Sequence, residues 1–282
     1  MGTDMIIDGH RHIVDSFEPI LTEMDAFGID KTVLVGIGVR DLGPVTIADS
    51  WVFRWHFLFR TLGMLKARQL VSSPTFQHNL LPNPRNDAVL AAIGQRPDRF
   101  LGFAFINPES AQAADELQRC LARGMCGLKL ALVQYPTDLG GGKMAALCEI
   151  AAGHGIPVFM HLGLTAASSR ADALVKAFPK LRFIIAHAGV QCFAETQALA
   201  RRCDNVFVDT SSHIATAGKI RQLCAKLGAS KLIFGSDIPV MCGGLAEALT
   251  KIDALTIPAS EKAKILGGNL LNILPSVSTP TR

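Results

Sequence analysis

Eight short apolar runs recur along the 282-residue chain, and their number constrains the fold more than any other feature. They lie near 5–12 (MIIDGHRH), 32–37 (TVLVGI), 100–106 (FLGFAFI) and 126–132 (CGLKLAL). Four more lie near 156–162 (IPVFMHL), 182–187 (RFIIAH), 205–210 (NVFVDT) and 231–236 (KLIFGS). Each is continuous in Val, Ile, Leu or Phe rather than alternating with polar residues, the mark of strands buried on both faces. Helical patterns fall between them, as in 109–124, 143–155 and 246–256, the first two closing at Gly124 and Gly155. Eight strands alternating with helices predict an α/β fold, a (β/α)8 TIM barrel. A doubly wound open sheet is the alternative, but no GxGxxG follows the first run. A chain that is 49% apolar and 18% charged can bury such a core.

One segment breaks the rhythm. Residues 38–85 join the second and third runs, too long for a plain loop. The expectation is one barrel domain over 1–282 with a helical insertion at 38–85. Trp51, Trp55, Leu58 and Leu62 share one helical face there, which suits docking on the barrel, a lid over its mouth, or a subunit contact. The same aromatic face suggests a homodimer. The last residues, SVSTPTR, read as a frayed tail.

The formal charge of +4 is scattered, with no basic run to track a phosphate backbone, so nucleic acid is not an expected partner. Seven cysteines without a CxxC pair suggest small buried residues of a reducing compartment. No apolar stretch nears the roughly 18 residues that cross a bilayer, and the N-terminus has no signal-peptide pattern. A cytoplasmic protein with no membrane partner is expected.

Chemistry concentrates at the ends of the runs. In the first, His10 and His12 stand two residues apart, so a strand would project both to one face, roughly 6.5–7 Å apart. Two such imidazoles can share one metal ion at about 2.0–2.1 Å each. Lys129 lies in the fourth run, His161 ends the fifth, His187 the sixth, Asp209 the seventh, and Asp237 follows the eighth. Active-site residues of a barrel sit at these C-terminal strand ends. Polar groups at an apolar mouth need a shared partner, and three histidines with a carboxylate suit zinc, with manganese or iron possible.

These segments resemble the amidohydrolase superfamily, and their wording narrows the resemblance. QRPDRFLGFAFINP (95–108), CGLKLAL, HGIPVFMHLG (154–163), RFIIAHAG, NVFVDTSS, FGSDIP and ILGGNLLNIL (265–274) look like its amidohydrolase-related branch. That branch includes aminocarboxymuconate-semialdehyde decarboxylase-like enzymes, and the resemblance covers the chain apart from 38–85. It implies that His10, His12, His161 and Asp237 bind one divalent metal, Zn²⁺ or alternatively Mn²⁺. It implies too that His187 orients or deprotonates the water on that metal, a role Asp237 could share. The branch often reads GxKLHP at the fourth run, whereas this chain has Ala131 in the histidine position. Lys129 is then a charge partner for substrate, Asp237 or Asp209, or, in a two-metal site, a carboxylated bridge. His213 and Arg40 are further candidates to touch substrate, as are Arg54 and Arg60. Asp209 reads as structural, His56 and His78 as surface, and His154 as a helix-end residue.

The leading expectation is a hydrolase of small organic molecules, in which a metal-bound water attacks an ester, lactone or amide carbonyl. The alternative is a metal-dependent non-oxidative decarboxylase, a lyase acting on an aromatic or unsaturated carboxylic acid. A catalytically silent metal-binding barrel is a third reading, disfavoured by His187, a fourth inward histidine that a tetrahedral structural site would not require.

Overall fold

The computed structural model describes residues 5–42, 58, 62–240 and 244–275. Eight strands appear, one within each apolar run: β1 (Ile7–His12), β2 (Lys31–Val35), β3 (Phe100–Phe105), β4 (Gly127–Ala131), β5 (Val158–His161), β6 (Phe183–Ile185), β7 (Val206–Asp209) and β8 (Leu232–Ile233). Every neighbouring pair is parallel, and the strands follow one another around the sheet in chain order. That order excludes the doubly wound alternative, whose strand order must reverse. Both faces of the strands are covered because each connection returns as a helix packed outside. Val33, Val35, Phe103, Phe105, Phe159 and Ile233 fill the interior. Leu34, Leu128, Val158 and Val208 pack outward under helical residues such as Leu117 and Leu147. Gly124 and Gly155 take left-handed φ values of 98° and 65°, which terminates the preceding helices where the sequence indicated.

The ring closes through backbone rather than through a full ladder. Gly9 N donates to Phe234 O (2.9 Å), Asp237 N to His10 O (2.6 Å) and His12 N to Ile238 O (2.8 Å). β1 is thereby tied directly to the segment after β8, which carries Asp237. Gly9 is required at this seam, since a Cβ there would lie 2.8 Å from Phe234 O.

β1 contains a bulge that decides which way its histidines face. Ile7 and Asp8 pair with Lys31 and Thr32, whereas Arg11 and His12 pair with Leu34 and Val35, so Gly9 and His10 together oppose Val33. Ile7 lies in the interior cluster. Strict alternation from Ile7 would turn residues 10 and 12 outward; the extra residue reverses the parity and brings both imidazoles inward. Arg11 then faces out, where it pairs with Glu23 of the helix Glu18–Phe27 at 2.5 Å.

The excursion between β2 and β3 narrows to a neck. Val39 and Leu80 form an antiparallel bridge, Arg40 N donates to Asn79 O (2.8 Å), and Arg85 N donates to Ile37 O (3.0 Å). The hydroxyl of Tyr135, the chain's single tyrosine, donates to Gly38 O (3.0 Å) and Leu81 O (2.7 Å), bonding to both strands of the neck from the loop after β4. Beyond the neck stand the helices Met64–Val71 and Pro74–Asn79. Arg68 of the first donates to Leu164 O (3.2 Å), three residues past His161. Trp51, Arg54, Trp55, His56 and Arg60 lie outside the described residues. Among the described residues, no helix is long and apolar enough to cross a membrane.

Candidate metal centre

The C-terminal strand ends bring the expected residues together. Asp237 Oδ1 lies 3.4 Å from His10 Nε2 and 3.3 Å from His12 Nε2, while its Oδ2 lies 3.8 Å from His187 Nε2. The His161 and His187 rings are 4.6 Å apart between centroids, and the His10 and His187 rings 5.2 Å. Lys129 Nζ stands 2.8 Å from His10 Nε2 and 4.1 Å from the Phe159 ring centre. His10, Lys129, His187, Asp209 and Asp237 are buried, and His12 and His161 are part-buried at the mouth.

Two of these residues are turned inward by unusual backbone. Ile184 and Ala186 belong to the interior cluster, so simple alternation would send His187 out. Instead His187, Ala188 and Val190 take left-handed φ values of 54°, 56° and 48° around Gly189, rotating the imidazole toward the others. Asp237 has φ 65°. Left-handed non-glycine residues store strain, and they cluster at functional sites.

The hydrogen bonds specify which ring nitrogen faces the cluster. His12 Nδ1 lies 2.7 Å from Gly36 O; a carbonyl only accepts, so Nδ1 carries the proton and Nε2 the lone pair. Lys129, which only donates, contacts His10 at Nε2, marking that nitrogen also as an acceptor. Burial pushes the pKa of His10 well below the usual imidazole value, and the Lys129 charge adds to this. His161 is pushed down to about 3, again by burial first and by Lys129 second. His187 falls well below the ordinary range through burial and the neighbouring His161. At neutral pH these three rings are uncharged.

Neutral imidazoles presenting lone pairs around a carboxylate repel one another unless a cation lies among them. The donor atoms of His10, His187 and Asp237 all lie within 4.8 Å of one another, and Asp237 Oδ2 is buried without a hydrogen-bond partner. This His-and-carboxylate donor set fits a divalent metal ion. Lys129 supplies one positive charge beside it, and burial lowers its pKa to about 8, with Asp237 and Asp209 opposing that shift. No carboxylate lies within ion-pair reach of Lys129 Nζ among the described residues.

The other sequence candidates stand apart. Arg40 is exposed at the neck, its Nε donating to His78 O (3.2 Å). His213 is part-buried in the turn after β7. Asp209 is wholly buried beneath the cluster, its Oδ2 accepting from His187 N (3.0 Å) and from the Ser211 hydroxyl. Burial raises its pKa, and those hydrogen bonds oppose the rise.

Sequence reasoning missed two groups under the cluster. Asp8 accepts from Ser236 N (2.9 Å) and Ser236 Oγ (2.6 Å), binding β1 to the residue before Asp237. Burial pushes the Asp8 carboxyl up to about 6. Ser211 Oγ lies 3.1 Å from His10 Nδ1 and 2.9 Å from His187 Nδ1. An acid inside the run IIDGH and a hydroxyl pair directly after VFVDT were the available signals, since each needs a polar partner at an apolar strand end.

Comparison with known proteins gives the family and the fold. A family model described as amidohydrolase matches residues 7–271. No curated protein matches the chain in sequence. Among solved structures, an uncharacterised TIM-barrel protein from Bordetella bronchiseptica is similar at TM-score 0.71 and 19% identity, covering 95% of this chain and 98% of its own. A dihydroxybenzoic acid decarboxylase from Polaromonas, with bound manganese and the inhibitor 2-nitroresorcinol, is similar at 0.64 and 17%, covering 96% and 97%. A probable 2-pyrone-4,6-dicarboxylic acid hydrolase from Acinetobacter baumannii, with citric acid bound, is similar at 0.67 and 16%, covering 95% and 98%. At such identities these likenesses establish the shared barrel.

Proposed function

The chain belongs to the amidohydrolase family of metal-dependent enzymes, and on that footing we propose that it is a non-oxidative decarboxylase of an aromatic or unsaturated carboxylic acid. The observation that carries this reading is Lys129. An ammonium group 2% exposed, set against His10 Nε2 and bonded to no carboxylate of the described residues, is costly to bury unless an anion arrives to meet it. A carboxylate substrate brings that anion; a neutral ester or lactone does not. The decarboxylases among the similar structures support the same choice.

In this reading His10, His12, His161 and Asp237 would hold one divalent ion, zinc or manganese. When bound, that ion supplies positive charge that fixes an anionic substrate oxygen and stabilises charge built up as CO₂ leaves. Lys129 orients the substrate carboxylate. Loss of CO₂ breaks one carbon–carbon bond and leaves its electron pair on the substrate carbon, which must take up one proton. His187 Nε2 and Asp237 Oδ2, 3.8 Å apart, hold and pass that proton. The Arg68 bond to Leu164 O supports the helix Met64–Val71 as a cover beside the mouth of a single barrel domain.

Hydrolysis, the leading sequence expectation, becomes the second reading. It is favoured by His187, which is neutral and presents Nε2 as an acceptor suited to deprotonating a water. The deciding experiment offers the metal-reconstituted protein hydroxybenzoates and lactones in parallel. CO₂ release from the acids, slowed in Lys129→Met, supports decarboxylation. Acid product from lactones without CO₂ release overturns it in favour of hydrolysis.

A further inference from the structure

His10 comes from β1 and His187 from the turn after β6, yet their Nδ1 atoms meet one oxygen. Ser211 Oγ lies 3.1 Å from the first and 2.9 Å from the second. A serine hydroxyl has one proton to give and two lone pairs to accept with. The proton is committed to Asp209 Oδ2, an acceptor 3.6 Å from His10 Nδ1 and 3.9 Å from His187 Nδ1. Both lone pairs of Ser211 are then free to receive N–H groups, one from each imidazole. The count closes with no donor or acceptor left over.

The geometry points to Ser211 as the positioning residue that sets both histidines in the Nδ1–H form and so aims both Nε2 lone pairs at Asp237. This rests on the metal-site reading above and deepens it. One hydroxyl fixes two tautomers at once, so the two rings are coupled rather than independently adjustable. The surrounding loop holds Ser211 in place. Ser211 N donates to Asp209 Oδ1 (3.2 Å). From the outer helix Leu245–Asp253, Lys251 Nζ donates to the carbonyls on either side, Thr210 O (2.7 Å) and Ser212 O (3.0 Å). Ser212 takes a left-handed φ of 73°, which completes the turn. An Asp209–Ser211–histidine relay of this kind sets ligand orientation much as a carboxylate bonded directly to a metal-binding histidine does.

The test is side-chain ¹⁵N NMR on the metal-free protein, with Zn²⁺ alone titrated against a competing chelator. In the wild type, His10 and His187 should both carry the proton on Nδ1. Ser211→Ala should return the two rings to mixed tautomers and weaken Zn²⁺ binding about 10- to 100-fold, while Ser211→Thr, which keeps the hydroxyl, should restore both readouts. Protonation at Nε2 in the wild type, or unchanged tautomers and Zn²⁺ affinity in Ser211→Ala, overturns the assignment. The wild-type spectrum decides even if the alanine variant does not fold. Nδ1–H forms in a protein that takes up neither Zn²⁺ nor Mn²⁺ would uphold the role of Ser211 and sink the metal reading instead.

Discussion

Lys129 Nζ sits 2.8 Å from His10 Nε2, so the lone pair that His10 turns toward the barrel mouth is met by an ammonium of the same protein. A cation entering the cluster must share or displace that contact, and a carboxylate substrate gives the displaced ammonium a new partner. Lys129→Met should therefore leave metal content intact. It should lower kcat/KM for a carboxylate substrate by about 10- to 100-fold, the range for a charge-assisted hydrogen bond of about 1.5–3 kcal/mol. Metal analysis beside steady-state kinetics checks this, and loss of metal in Lys129→Met would count against it.

His10 and His12 act as a pair on Asp237, at 3.4 and 3.3 Å from the same oxygen. The double variant His10→Ala/His12→Ala should lose bound metal while keeping its circular dichroism, because the barrel is held chiefly by its apolar interior and outer layer. Elemental analysis of the purified proteins reads the outcome; retained metal would move the site elsewhere.

His187 separates the proton role from ligation. His187→Ala should keep the metal and lose about 10²- to 10⁴-fold in kcat, the span of a general acid or base. Should the variant emerge metal-free, His187 is a ligand, consistent with the 4.8 Å clustering of its donor atom with those of His10 and Asp237.

The pH dependence of stability has a defined sign. His161 has a folded pKa of about 3 against an ordinary 6.5, because burial and then Lys129 disfavour its charge. Between those values the unfolded chain binds a proton that the fold refuses, so this stabilisation is present above pH 6.5 and is lost on acidification toward 3. The slope is about 1.4 kcal/mol per pH unit. Asp8, raised to about 6, acts oppositely between its ordinary 3.8 and that value. Removing His161 isolates its share: in chelator-treated protein, denaturant melts from pH 6 to 4 should fall less steeply for His161→Gln than for the wild type. Parallel slopes would refute the assignment.

Gly235 tests how tightly the site is built. A Cβ there would lie 2.5 Å from Asp209 Oδ1 and 2.9 Å from His10 Cβ. Gly235→Ala should destabilise the fold by about 1–3 kcal/mol through overpacking and lower metal occupancy by shifting His10. Gly142→Ala, where nothing lies within 4 Å of the added carbon, is the control that should show neither effect.

The strand count, the placement of His10, His12, His161, His187, Asp209 and Asp237 at or just past strand ends, and that of Lys129 within the fourth strand were legible in the sequence, because hydrophobic runs and helix stops are local signals. A histidine inside an apolar run is conspicuous without knowing its neighbours. What the tertiary structure alone decided is which way those side chains face and what lies behind them. The bulge that turns His10 and His12 inward depends on the register between β1 and β2. The left-handed turn that swings His187 into the cluster follows a strand whose alternation would have sent it out. Ser211 reaches His10, and Ser236 reaches Asp8, across 201 and 228 residues of chain. Such links are set by barrel closure, a long-range condition that no stretch of sequence encodes by itself.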